Sequence, residues 1–230
     1  MGLHSAVESN ALEGAELSLN RARNSMGKVD DIQMLLTQLL EDSAEAHGLV
    51  NEKDTQFRRR AYVRSVFSTL ESMVWLLKQL CLEFSEMLAS NGVSYEAKLD
   101  RAEYALLHDE AYDLKSNGTP NVQPKFLKLP DNLRFAIEIT NRVFTIEGFI
   151  NTEIDLGIGT AKWDRFLRAL AVRNRITHPK ELSGFTITDE EKLLCDDVLL
   201  WMNQFLNDFL MSISRSTEIL REERRTAQSK

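Results

Sequence analysis

The strongest constraint on the fold is a long run of apolar residues spaced alternately by four and three positions. Its members are Val63, Phe67, Leu70, Val74, Leu77, Cys81, Phe84 and Leu88. This spacing places them along one side of a single helix, and so long a seam needs partner helices to cover it. We therefore predict a long helix over about residues 52–91, closed by Asn91 and Gly92.

Further segments also carry apolar residues at helical spacing. They cover about residues 28–48, 94–115, 131–151 and 160–177, and the last begins at residue 188. We expect Gly48 to end the helix over residues 28–48, and Asp131 to cap the N-terminus of the helix over residues 131–151. Thr188 and Glu191 have the spacing of a capping box, which predicts the start of the last helix.

Strand patterns are missing from the sequence. Residues 116–130 hold three of the four prolines and predict the longest loop, while only 10 glycines are available for the turns of a sandwich or barrel. We predict an all-α fold, an antiparallel helical bundle with a long second helix. Residues 1–27 would form an N-terminal arm or short helix, residues 28–213 the bundle, and residues 214–230 a charged C-terminal tail.

The charge balance restricts the partners of this chain. With 28 Lys and Arg against 35 Asp and Glu, the net charge is −7 and the pI is near 5.3. A basic surface that coats nucleic acid or anionic membrane is therefore excluded, and any nucleic-acid contact must be local. No stretch predicts a membrane span or a signal peptide, so we expect a cytoplasmic protein without membrane partners. Cys81 and Cys195 are expected in the core, and no residue spacing predicts a metal site or a cofactor.

One short string near the end of a predicted helix could carry chemistry, and it reads RNRITHPK from Arg173 to Lys180. Arginine can bind two phosphate oxygens at once, and histidine exchanges protons near neutral pH, so the two types suit metal-free phosphodiester cleavage. On an unbroken helix, Arg173 and His178 would lie about 140° apart. Pro179 forces His178 out of the helix, so we expect the two side chains to approach each other.

The context of this string resembles a known family. The segments that carry the resemblance are WDRFLRALAVRNRITHPKEL, RRRAYVRSVFSTLE and LRFAIEITNRVF, within about residues 28–212. They are similar to the HEPN (higher eukaryotes and prokaryotes nucleotide-binding) superfamily, in which an Arg, a polar residue and a His close a core helix of an all-α bundle. The resemblance implies a metal-independent endoribonuclease or a catalytically silent relative, in either case a homodimer whose motifs face each other.

Carried over by position, the resemblance assigns roles to individual residues. Arg173 and His178 match the active pair, and Asn174 matches the polar residue after the arginine. We add Arg175 and Lys180 as candidate RNA-binding residues. The implied partners are RNA, a second copy of the chain, and an antitoxin or regulatory protein. A toxin–antitoxin, stress-response or phage-defence setting would suit such an enzyme.

A second hypothesis belongs to a different class. The chain could be a non-catalytic helical dimerisation module or an RNA- or nucleotide-binding module that keeps the motif for its architecture. The long apolar seam and the helix around Trp201 favour this hypothesis, because together they offer more apolar surface than one small bundle needs. In that case, His178 and Lys180 would simply cap a helix.

Several other side chains have two open interpretations. A basic patch would either form salt links with Glu52 and Asp54, which we favour, or contact the RNA backbone; its members are Arg58, Arg59, Arg60 and Arg64. Glu71 is either a surface residue, which we favour, or an orienting partner for His178 or Arg173. We expect the following aromatic residues in the core or a dimer interface rather than in a base-stacking platform: Trp75, Trp163, Trp201, Phe205 and Phe209.

Overall fold

A computed structural model describes residues 31–32, 34–90, 98–144 and 154–228, with side chains given for these residues except 86–90 and 210–228. The predicted arm over residues 1–27 and the predicted helix end at 145–151 lie outside the described residues. Six helices, a short 3-10 helix and one hairpin make up the described part of the chain. In order they are α1 (31–32 and 34–52), α2 (Gln56–Ser90), α3 (Arg101–Leu107), β1 (Glu110–Leu114), β2 (Pro120–Pro124), α4 (Leu129–Phe144), α5 (Ala161–Thr177), the 3-10 helix (Leu182–Phe185) and α6 (Asp189–Gln228).

The long helix α2 lies at the centre of the bundle. It contacts α3, α4, α5 and α6, and its predicted seam is buried from Val63 to Cys81. The partner helices supply further buried apolar residues, among them Phe144 on α4, Phe166 on α5 and Phe209 on α6. The predicted all-α bundle with a long second helix is therefore confirmed.

Polar contacts fix α1 and α6 against α2. Ser43 Oγ on α1 lies 2.8 Å from Thr69 Oγ1 on α2, and both groups are buried. The His47 ring lies 5.1 Å from the ring of Tyr62, whose hydroxyl donates to Asp196 Oδ1 on α6 at 2.7 Å. Because buried hydroxyls need hydrogen-bond partners, these contacts determine how the three helices are aligned as well as holding them together.

The main error of the sequence prediction concerns residues 108–124. We predicted a helix up to residue 115 and then a loop, but the helix ends at Leu107 and an antiparallel hairpin follows. Asp109 has a positive φ of 58°, which stops the helix, and its carbonyl accepts from the Lys125 N–H at 2.7 Å to close the hairpin. The hairpin lies on the surface, so its strands do not alternate apolar with polar residues and gave no strand signal.

Three predicted boundaries are also corrected. Gly48 lies inside α1, which continues to residue 52, and a single glycine weakens a helix only modestly. Asp131 is not the cap of α4, because the helix begins at Leu129, although an acidic residue in the first turn still favours the helix dipole. Residues beyond 213 continue α6 as a helix to Gln228.

Two further expectations can be compared with the structure. Cys81 and Cys195 are both buried and free, as predicted, and burial raises the pKa of each thiol to about 12. Among the described helices, none has a stretch that is both long and apolar enough to cross a membrane.

A buried lysine holds the hairpin to the bundle. Lys78 on α2 has only 1% of its side chain exposed, and its Nζ lies 2.5 Å from Asp109 Oδ1. A buried ammonium group is unfavourable unless an anion neutralises it, and Asp109 is that anion. Because Asp109 also ends α3 and begins the hairpin, this ion pair fixes the turn against the long helix.

We expect Asp109→Asn to lower the free energy of unfolding by about 2 kcal/mol, because the substitution leaves the Lys78 charge buried without its anion. Asparagine tolerates the positive φ as aspartate does, so the backbone is not strained. Urea denaturation measures the change. The double variant Lys78→Met/Asp109→Asn should recover most of the loss, and a double variant as unstable as the single one would contradict this explanation.

Candidate functional site

The candidate site lies where α5 ends. The helix stops at Thr177, and His178 has non-helical backbone angles of φ −127° and ψ 63°. The His178 N–H still donates to the Asn174 carbonyl at 3.0 Å, which closes the last turn. Pro179 follows directly, so the predicted release of His178 from the helix by a proline is confirmed.

Arg173 is held by a carboxylate from α2. Its Nη2 forms an ion pair with Glu71 Oε1, and its Nη1 donates to Asn174 Oδ1 at 3.1 Å. The Arg173 side chain keeps 27% of its surface exposed and that of Glu71 keeps 42%. Glu71 is therefore a partner of Arg173, and the favoured interpretation of Glu71 as a simple surface residue is wrong. The pair fixes the guanidinium and leaves it within reach of solvent.

Asn174 has a different neighbour from the one expected. Its spacing from Trp163, Leu167 and Leu170 predicts that Asn174 faces a neighbouring element, but the side chain is exposed and accepts a hydrogen bond from Arg173. This row of residues is already partly exposed before Asn174, because Leu167 is 38% exposed whereas Trp163 is 8% exposed. Within one chain, Asn174 therefore orients the guanidinium rather than packing in the core.

His178 is exposed, and its imidazole makes no hydrogen bond or ion pair with the residues that the structure describes. A histidine cap would use its ring nitrogens on the helix carbonyls, but here the closing bond comes from the backbone N–H alone. Both ring nitrogens are thus free to exchange protons with a ligand. Arg173 and His178 lie at the same end of α5, within its last turn and a half.

Arg64 is a member of the predicted basic patch, but the salt link that we favoured for the patch is wrong for this residue. Its Nη2 lies 3.3 Å from the Ile176 carbonyl, so it reaches the C-terminal end of α5 from α2. No carboxylate of the described residues pairs with Arg64, and the residue is exposed. Arg64 lies seven residues before Glu71, so the two are on the same side of α2, and this spacing is the sequence signal that places Arg64 near the site.

The other arginines of the predicted basic patch bind within the protein. Arg58 lies 3.6 Å from Glu52 and Arg59 Nε donates to Asp54 Oδ1 at 2.6 Å, so the predicted salt links are confirmed. The hydrogen bond from Arg59 lowers the pKa of the Asp54 carboxyl below its usual range. Arg60 Nη1 donates to the Phe185 carbonyl at 3.0 Å, which ties α2 to the 3-10 helix.

Arg175 and Lys180, the predicted RNA-binding residues, differ in their surroundings. Arg175 Nη2 lies 2.8 Å from each carboxylate oxygen of Glu191, and Nη1 donates to the Thr186 carbonyl at 2.9 Å. Glu191 also completes the predicted capping box with Thr188. Lys180 is exposed and has no ion-pair partner among the described residues. An RNA-binding role stays a prediction for both residues. Lys180 is the better candidate, because the Arg175 guanidinium is already engaged by Glu191 and Thr186.

Three cationic side chains and a histidine lie at this end of α5 or reach it from α2. They are Arg64, Arg173, His178 and Lys180, with the carboxylate of Glu71 on Arg173 and that of Glu181 next to Lys180 in the sequence. The net charge of the whole chain is −7, so these groups form a local excess of cations in an acidic chain. A local cationic surface of this kind can bind a phosphodiester without attracting nucleic acid to the rest of the molecule.

Two other features lie apart from this surface. A groove of about 340 Å³ between α5 and α6 is lined by Lys162, Phe166 and Trp201, among others. Lys162 precedes Arg173 by eleven residues, or about 16 Å along α5. Among the described residues, no three His, Cys, Asp or Glu side chains stand close enough together to hold a metal ion.

Four of the predicted aromatic residues are buried in the core as expected. They are Trp163, Trp201, Phe205 and Phe209. Trp75 is the exception, because 51% of its surface is exposed. The core interpretation is therefore wrong for Trp75, and its alternative, a dimer interface, stays a prediction.

Matched substitutions separate the two predicted RNA-binding residues. Arg175→Ala should lower the free energy of unfolding by about 1 to 2 kcal/mol, because Glu191 and two carbonyls lose a shared donor. Lys180→Ala should change it by less than about 0.5 kcal/mol, since nothing in the described chain depends on that side chain. Denaturant unfolding of both variants measures the difference, and equal stabilities would contradict the structural role of Arg175.

Comparison with protein-family models, with curated proteins and with solved structures finds no match to this chain. The similarity to the HEPN superfamily therefore stays a prediction from the residues quoted above.

Proposed function

We propose that this chain is a metal-independent endoribonuclease of the HEPN type, acting in the cytoplasm as a homodimer. The observation that carries the proposal is the end of α5, where Arg173 is held by Glu71 and His178 is exposed without a partner in the described chain. A cap or a core histidine would have its ring nitrogens bonded. A general acid or base needs them free.

The chemistry follows from these two groups. In RNA cleavage the 2′-oxygen attacks phosphorus and the bond to the 5′-oxygen breaks. A base takes the 2′-hydroxyl proton, and an acid gives a proton to the leaving oxygen. His178 serves as the base when neutral and as the acid when protonated. Arg173 stabilises the charge that develops on the phosphoryl oxygens, and Asn174 orients its guanidinium.

A homodimer completes this scheme. One imidazole cannot be neutral and protonated at the same moment, so a single copy supplies only one of the two proton transfers. Two facing copies of His178 divide the roles of base and acid between them. The exposure of Asn174 and His178 at the end of α5 leaves this surface open to a second copy.

The remaining partners are part of the proposal. RNA is the substrate, with Lys180 and Arg64 as contacts to its backbone. An enzyme that cuts RNA without a metal needs external control, so we include an antitoxin or regulatory protein. A toxin–antitoxin, stress-response or phage-defence system is the corresponding setting.

The ribonuclease proposal is tested on purified protein with a panel of RNAs in the presence of EDTA. We expect cleavage to continue in EDTA and to fall at least a hundredfold in His178→Ala, which loses the proton-transfer group. The variant should keep the wild-type melting temperature, because the side chain is exposed and unpartnered in the described chain. His108→Ala changes an exposed histidine at the end of α3, is the matched control and should remain active.

Two outcomes would contradict the proposal. Loss of cleavage in EDTA would show that a metal is required. Absence of cleavage across the panel, together with a stable dimer and a His178→Ala variant of lower melting temperature, would favour the non-catalytic dimerisation or binding module. The apolar groove between α5 and α6 is the surface that such a module would offer.

Glu71 is expected to act as a positioning residue for Arg173. We expect Glu71→Gln to lower kcat by about tenfold, because the guanidinium loses the charge that fixes it. KM should not rise, since the carboxylate also competes with phosphate for the same donor. Steady-state cleavage of a fluorogenic RNA measures both constants. The melting temperature should change little because the pair is half-exposed, and an unchanged kcat would contradict the positioning role.

A further inference from the structure

Trp75 is an exposed aromatic residue beside the candidate site. It lies on α2 one helical turn after Glu71, the residue that holds Arg173. It is 51% exposed, whereas Trp163 and Trp201 are 8% and 7% exposed. An indole with half of its surface exposed offers an aromatic face to which a ligand can bind.

The neighbours of Trp75 on α2 are polar. Positions three, four and seven residues before it hold Ser72, Glu71 and Ser68, and Gln79 follows one turn later. An interface between copies of a chain has a contiguous apolar centre, whereas the positions of α2 that precede Trp75 on this side of the helix are polar. The pattern fits a ligand that offers one flat apolar face together with charge.

The same face of α2 leads to the cationic end of α5. Arg64, Ser68, Glu71 and Trp75 follow one another at spacings of four, three and four residues, which places them in one line. The line is about 16 Å long. Arg64, at the start of this line, contacts the end of α5, and Glu71, seven residues later, holds Arg173. Positive charge and an exposed aromatic ring thus occur on one narrow stripe.

We propose that single-stranded RNA lies along this stripe, with a backbone phosphate at Arg64 and Arg173 and an unpaired base stacked on Trp75. The cations complement the phosphates, and the indole complements the face of a base. Duplex RNA does not fit, because its bases are already stacked on one another. The inference rests on the proposed ribonuclease function, but the binding of RNA is tested separately from its cleavage.

The test uses the His178→Ala variant, which is expected to bind RNA without cutting it. A single-stranded RNA of about twelve nucleotides is titrated while tryptophan emission is recorded, and the corresponding duplex is titrated in parallel. Because Trp163 and Trp201 are buried, the change in emission reports mainly on Trp75. We expect quenching by the single strand and weaker binding of the duplex.

Two substitutions of Trp75 distinguish stacking from simple apolar contact. Trp75→Phe keeps an aromatic face and should keep most of the affinity. Trp75→Leu keeps apolar volume without an aromatic face and should weaken binding by about fivefold or more. Phe126→Leu is the matched control, because Phe126 is 81% exposed but lies outside the stripe. It should bind as the parent protein does.

Each other outcome overturns the inference. Absence of RNA binding, equal affinity for duplex and single strand, or equal affinity of the Leu and Phe variants would do so. A Trp75→Leu variant that turns a dimer into a monomer in sedimentation, with RNA affinity unchanged, would assign the residue to a protein interface.

The two proposals fail in different ways. If the protein with His178 intact cuts no RNA, but binding still depends on an aromatic residue at position 75, the ribonuclease proposal is wrong and the stacking inference holds. If Trp75→Leu cuts RNA with unchanged KM, the enzyme is confirmed and the stacking inference is wrong.

Discussion

Burial of one side of α2 is the constraint on which the rest of the structure depends. The seam from Val63 to Cys81 must be covered, and α4, α5 and α6 supply the cover. A helix with one side fixed in this way has its other sides fixed too. The line from Arg64 through Glu71 to Trp75 is therefore held in place by the core, and its polar residues meet the end of α5 without any loop to position them.

Internal arginine contacts explain how an acidic chain forms one small cationic surface. Arg59, Arg60 and Arg175 bind carbonyls of the connector between α5 and α6, whose residues have few backbone partners of their own. Their guanidinium groups are therefore occupied by contacts within the protein. Arg64 also binds a carbonyl, but no described carboxylate neutralises it, and Arg173 shares one carboxylate while staying accessible.

The sequence predicted the features that depend on local pattern. The long α2 seam, the end of α5 before Pro179 and the Thr188 capping box each follow from residues close together in the chain. The hairpin was missed because its strands are too exposed to alternate and because the positive φ of Asp109 leaves no mark in the sequence. The partner of Arg173 could not be chosen in advance, since Glu71 lies 102 positions away and only tertiary packing brings the two together.

The ion pair between Arg173 and Glu71 has a consequence for which anions the site can hold. Any anion that takes the guanidinium must displace a carboxylate attached to the same molecule, whose effective concentration is on the order of millimolar. A small solute such as chloride has only one contact with which to compete. A polymer that also engages neighbouring groups gains from several contacts at once. In the proposed function, this ion pair would favour polyvalent anions over small ones.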